Sequence, residues 1–244
     1  MRMSVESDKQ RLVELQAMLA KAEKAPLLAD LDRVGWVYQA YASNASLLYR
    51  QITDPHPDFE VAIETRVPGF KPEIYRKYYA EMIRLILNYS ASAASLVDHM
   101  RILSDKMEGA NPDVYEELIE RRTRLADTSV NDFVKRLRNF VLHYGLPIIT
   151  GQISHTQGDD RIEFDTLPDP DQLRIWGGWK GKSREYMEQN NPISLSKTIA
   201  DYDDLVRPFY DWVFEELKRV CYENAKRVSD LSIGINNIEA RLAK

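Results

Sequence analysis

From Tyr75 to Met107 apolar side chains recur every third or fourth residue: Tyr75, Tyr79, Met82, Ile86, Tyr89, Ala93, Leu96, Met100, Leu103 and Met107. Only a helix brings such a series onto one stripe, and this one predicts about nine turns buried along a single face. The small residues Ala91, Ser92, Ala93, Ala94 and Ser95 within it would let a neighbouring helix approach closely. A second series keeps the same step almost to the terminus, through Leu195, Ile199, Tyr202, Val206, Phe209, Val213, Leu217, Val220, Val228, Leu231, Ile235, Ile238 and Leu242. Pro208 lies inside it and predicts a kink or a fresh start. Two shorter series open the chain. Leu12, Leu15, Leu19 and Ala22 mark a helix that Pro26 ends, and Leu31, Val34, Tyr38, Tyr41, Ala45, Leu48 and Ile52 mark the next. The fold class is therefore mainly all-α, an antiparallel helical bundle.

The interruptions are as informative as the period. Residues 53–72 carry Pro55, Pro57, Pro68, Gly69 and Pro72, a long loop in which His56 is the only candidate chemical group. Glu108 to Pro112 reads as a turn with proline at a helix start, followed by a helix over about 113–126. Asp127-Thr128-Ser129 then supplies an N-cap for the next helix. After Pro147 the period changes to alternation. Ile149, Gln152, Ile153, His155 and Thr156, a Gln-Gly-Asp-Asp turn, then Arg161, Ile162, Glu163 and Phe164 predict a small β-hairpin inserted near residues 146–167. Pro, Gly and Trp with interleaved basic residues fill the stretch to 192. Gly181-Lys182-Ser183 resembles the end of a phosphate-binding loop, but Trp176 stands where that loop needs glycine, and the reading fails. The tryptophans there either cover an end of the bundle or offer a stacking platform to single-stranded RNA. Length fits a single helical domain over 1–244, with the 146–192 insertion and a long helix or kinked helix pair over 193–244.

At 44% hydrophobic and 29% charged, the chain has the composition of a globular protein. Its net charge of −5 argues against a generic nucleic-acid coating protein. Between Arg121 and Arg138 the balance reverses. Arg121, Arg122, Arg124, Lys135, Arg136 and Arg138 face only Asp127 and Asp132. Such a run is either a solvated helical face or a phosphate-attracting patch. The single cysteine, Cys221, excludes a disulfide framework and a cysteine-based zinc site. No apolar run is long enough to cross a membrane and the first residues lack a leader-like apolar stretch, so a cytoplasmic location is expected.

One helix carries side chains that packing does not explain. Over residues 130–147 the apolar stripe is Val130, Phe133, Val134, Leu137, Phe140, Val141 and Tyr144. Arg138 and His143 flank the opposite face, about 7.5 Å apart along an ideal axis, with Asn139 and Leu142 between them. A leucine on an outward face suits a surface that meets something. Gly145 and Pro147 are expected to stop the helix, placing His143 in its last turn.

Arg138-Asn139, then three residues, then His143 resembles the signature of the HEPN superfamily: Arg, four to six residues, His, often with a polar residue after the Arg. These are helical-bundle proteins, many of them metal-independent ribonucleases. The resemblance implies His143 as general acid/base and Arg138 as ligand of the phosphate and its transition state. Asn139 would orient the scissile phosphate or hold the partner motif in register. It also implies a composite site at a homodimer interface, no metal and no cofactor. RNA would be the ligand, with contacts from Arg121, Arg122, Arg124, Lys135 and Arg136. A toxin or defence role with an antitoxin or defence-system protein as partner follows from the same resemblance. Some members carry a tyrosine two residues after the histidine, where this chain has Gly145. Asp98, near the end of the long central helix, could be assigned to a network in such a site, but nothing in the spacing demands it.

The chemistry suits the residue types. Histidine exchanges protons near neutrality, and arginine grips phosphate through two N–H groups. The alternatives are also concrete. Arg138 and Asn139 fit a solvated face with His143 as a helix C-terminal cap. A long C-terminal stripe that outruns the bundle fits a non-catalytic scaffold binding a protein partner, or a stripe packed on the first helix. His155 is read as an edge-strand residue, with a swing toward His143 as the other possibility.

Overall fold

The computed structural model describes residues 2–26, 28–54, 71–145, 149–155 and 162–243. The fold is mainly α-helical. Its elements in chain order are α1 (Arg2–Ala22), α2 (Leu28–Thr53), α3 (Pro72–Ala110), α4 (Pro112–Ala126), α5 (Ser129–His143), β1 (Ile149–His155), β2 (Ile162–Pro168), α6 (Pro170–Ile175), α7 (Lys182–Gln189) and α8 (Leu195–Leu242). His56, Pro147 and most of the expected 53–72 loop lie outside the described residues.

The chain packs as two compact units, the first built from residues 1–36, 98–121 and 210–244, the second from 37–97 and 122–209. In the first unit the tail of α8 lies against α1. Leu231, Ile235 and Ile238 are buried, and a Cβ on Gly234 would meet Leu15 Cδ1 at 3.4 Å. Asn224 is buried and donates through Nδ2 to the carbonyl of Ala22 at the end of α1 (3.0 Å) and to that of Pro26 in the following turn (3.2 Å). Arg241 pairs with Asp8 at 3.0 Å. Of the two outcomes expected for the long apolar tail, this is packing on the first helix. Buried Asp30 is held by Lys106 at 2.7 Å. The helix α8 runs through Pro208 as one element, although that residue lacks the N–H its turn would use.

In the second unit Tyr41 of α2, Tyr89 of α3 and Tyr202 of α8 meet with ring centroids 5.9–6.5 Å apart, all fully buried. Burial pushes all three phenols well above their ordinary range. Leu48, Ile52, Met82, Ile86 and Leu96 extend this core. The hairpin pairs β1 with β2 antiparallel, from Ile149 opposite Pro168 to His155 opposite Ile162. It is moored to α3 by Tyr75, which donates to the Ile149 carbonyl at 3.0 Å, and by Tyr78, whose hydroxyl meets Thr166 Oγ1 at 3.3 Å. Asp165 Oδ1 then accepts from Ser196 N–H at 3.3 Å, so the second strand also satisfies a free donor at the start of α8.

Residues 170–189 contain two short helices where the sequence reads as irregular. Asp169 caps α6 by accepting from the N–H groups of Asp171 and Gln172, with Pro170 at the first helical position. α7 starts at Gly181, whose φ of 55° is open to glycine without strain.

Candidate functional site

The candidate helix α5 is built from its cap inward. Thr128 is the N-cap, its hydroxyl accepting from Asn131 N–H at 3.4 Å. Val130, Phe133, Val134, Leu137, Phe140 and Val141 are buried as one stripe. Tyr144 is not part of that stripe, contrary to the periodicity. The helix ends at His143, so Tyr144 leaves its line and is 51% exposed. Both Tyr144 and Gly145 donate their N–H groups to the Phe140 carbonyl, at 2.9 and 3.0 Å. The stop is thus a last turn widened by an i→i−5 bond, and Gly145 does not take the left-handed conformation that a glycine stop commonly uses.

On the outer side Arg138 and Asn139 are half-buried, while Leu142 and His143 are exposed. Lys135, Asn139 and His143 are spaced i, i+4, i+8, so they follow one another along a single row. Lys135 is exposed, and among the described residues it makes no ion pair. The Arg138 Nε–H is buried and has no hydrogen-bond acceptor among the described residues. A donor of a permanent cation held away from water without an acceptor costs about 1–3 kcal/mol or more.

The remaining cations of the expected patch are not equivalent to Lys135. Arg136 is engaged in the fold, its Nε donating to Asp132 Oδ2 at 3.0 Å and its Nη1 to the Gly178 carbonyl at 2.6 Å. It ties the 176–183 segment to α5, which takes it out of the free basic surface. Arg121 pairs with Glu117 at 2.7 Å and lies 4.5 Å over the ring of Trp212. Arg122 and Arg124 each have interactions of their own. Asp98 pairs with Arg101 in the first unit, whereas α5 belongs to the second.

The segment clasped to α5 accounts for the two tryptophans separately. Trp179 is buried, stacks on Phe133 with centroids 5.2 Å apart and donates its indole N–H to the Leu173 carbonyl at 2.6 Å. It is a core residue. Trp176 sits at the edge, in contact with Phe140, Tyr144 and Trp179, and remains partly exposed. Asp132 Oδ2 also accepts the Ser183 N–H at 3.0 Å, and Lys182 Nζ reaches the Asp127 carboxylate at 2.6 Å. The lysine of the Gly-Lys-Ser run is therefore a structural clasp. The bonds of Arg136 to Gly178, Ser183 to Asp132 and Lys182 to Asp127 join residues 42, 51 and 55 positions apart, and of this network only the i, i+4 pair of Asp132 and Arg136 is hinted at in the sequence.

Among the described residues no group of three His, Cys, Asp or Glu side chains converges as metal ligands would. No helix of the described residues is long and apolar enough to cross a membrane. No protein-family model, no curated protein and no solved structure matches the chain.

Proposed function

We propose that the outer face of α5 is one half of a metal-independent RNA-cleaving site, or of an RNA-binding relative of one, completed by a second copy of the chain as in HEPN ribonucleases. The observation that carries this reading is a half-buried Arg138 that makes no ion pair among the described residues, on the helix that ends at an exposed His143. Packing gives that arrangement no use, and a phosphate gives it one. In the reaction the RNA 2′-oxygen attacks the adjacent phosphorus and the bond to the 5′-oxygen breaks. One His143 takes the 2′-proton while the His143 of the second copy protonates the leaving oxygen, and Arg138 balances the charge that builds on the phosphoryl oxygens. Lys135 and Asn139, on the row of His143, are placed to steer and orient the strand. Leu142, 44% exposed beside the histidine, supplies an apolar contact for the second copy. An RNA substrate agrees with a cytoplasmic protein and with a toxin or defence role.

The scaffold alternative rests on the apolar tail of α8, of which Leu231, Ile235 and Ile238 are buried while Tyr222 and Ile233 stay exposed.

The test is RNA cleavage in EDTA by the wild-type protein and by His143→Ala, matched in oligomeric state and melting temperature. Loss of cleavage in the alanine variant, with wild-type products ending in 2′,3′-cyclic phosphate, is the expected result. Equal cleavage by both proteins, or cleavage by neither, sinks the ribonuclease reading.

A further inference from the structure

A cavity of about 560 Å³ lies in the second unit, within the 170–193 segment, and its wall includes Arg174, Trp176, Lys180, Arg184, Met187 and Ile193. Its size suits a small planar ligand with an attached charged group. Trp176 presents a partly exposed indole there, unlike the closed-in Trp179. The absence of a side chain at Gly178 makes room for that indole, because a Cβ there would fall 2.2 Å from Trp176 Cζ2. Only glycine leaves room for the ring to lie across residue 178.

The wall carries three cations, Arg174, Lys180 and Arg184, against one carboxylate, Glu188. Arg174 is paired to Asp171 and Arg184 to Glu188, all exposed. Lys180 is exposed and has no acidic partner among the described residues. One unopposed lysine and two arginines with their hydrogen-bonding capacity only partly used surround an aromatic face. That combination recognises a π-face carrying a phosphate, as in a nucleotide. The cavity also adjoins α5, since Trp176 packs on Phe140 and on Tyr144, the residue next to His143.

We infer that this cavity is a nucleotide subsite in which a base stacks on Trp176 and its phosphate is held by Lys180, with Arg174 and Arg184 beside it. The choice of a nucleotide rests on the RNA reading of α5. The occupant is either a nucleotide unit of single-stranded RNA bound next to the cleavage site or a free mononucleotide.

The test uses the full chain and a fluorescently labelled 2′-O-methyl oligouridylate ten-mer, which has no free 2′-hydroxyl and is not cleaved by the proposed chemistry. Binding is read by anisotropy for wild type, Trp176→Ala and Lys180→Ala, and unlabelled uridine monophosphate is the competitor. Each variant is expected to bind the oligomer about tenfold more weakly, with a shallower salt dependence for Lys180→Ala. Lys180 is exposed, so its variant remains informative if Trp176→Ala fails to fold. Competition by the mononucleotide at concentrations near its own affinity would identify a free nucleotide as occupant, and competition by the oligomer alone would identify RNA. Absence of binding by both probes, or equal binding by wild type and Lys180→Ala, overturns the proposal. The reading of α5 fails independently: wild-type protein that never cleaves RNA yet binds through Trp176 and Lys180 leaves the subsite standing, and cleavage with no effect of the cavity variants leaves only the ribonuclease.

Discussion

Asp132 holds the candidate helix to the segment that overlies it, because one carboxylate oxygen accepts both Arg136 Nε–H and Ser183 N–H at 3.0 Å. Burial alone would raise its pKa, but the hydrogen bonds from Arg136 and Ser183 outweigh burial and hold the carboxyl below its ordinary range. The sign of the linkage follows. A carboxyl whose folded pKa is depressed stabilises the fold above its unfolded pKa, and that contribution is lost as pH falls through the folded value. Asp132→Ala is expected to cost about 1–3 kcal/mol at neutral pH, and less as acid removes the same contribution from the wild type. Urea titrations of both proteins from neutral to acid pH check this, and a difference constant with pH would contradict it. His143 and Arg138 could be picked out from the sequence because a helical period sorts outward from inward positions. The engagement of Arg136 with the Gly178 carbonyl could not, since no local pattern announces a partner that distant.

At the scale of elements, the long helices were readable because their stripes run for many turns. Their starts are legible where cap-type residues gather, as Asp127-Thr128-Ser129 does before α5, with Thr128 taking the cap. Thr128→Ala removes that cap and is expected to lower stability by about 1 kcal/mol without altering cleavage, as thermal melts and the RNA assay would report. Helices α6 and α7 escaped notice because Pro, Gly and Trp crowd residues 168–192, and each helix is too short to display a period. The Asp169-Pro170 start of α6 was a usable signal all the same. Between them Gly178 sets the course of the loop. Gly178→Ala forces the Trp176 indole aside, since the new methyl would sit 2.2 Å from it. The expected cost is about 1–3 kcal/mol, with a changed near-ultraviolet circular dichroism spectrum from the displaced ring. An unchanged spectrum and melting temperature would show that the ring does not lie where the structure puts it.

At the scale of the whole molecule, the tail of α8 shows how a long apolar stripe acquires its partner. Sequence periodicity left packing on α1 and docking of another chain equally open, because the two demand the same stripe. Asn224 and Gly234 mark the choice: one donates to carbonyls at the end of α1 and in the following turn, and the other leaves space for Leu15. Neither residue has that meaning until α1 is placed beside it. Cys221, buried in the same unit, offers a way to measure how firmly the packing is held. Burial, with the Asp30 carboxylate nearby, pushes its thiol up to about 11. The sign is that of an acid kept neutral: its contribution to stability is present below the unfolded thiol pKa and is lost as pH rises through the folded value. At pH 8 the native protein should therefore react with an aromatic disulfide reagent only when the unit opens. Ile235→Ala removes buried apolar contact from the tail and is expected to cost about 2–4 kcal/mol. If opening limits reaction under rapid reclosing, labelling of Cys221 accelerates by about thirtyfold to several hundredfold. A rate unchanged by Ile235→Ala, in a variant shown by urea titration to be destabilised, would mean that Cys221 is reached without releasing the tail from α1.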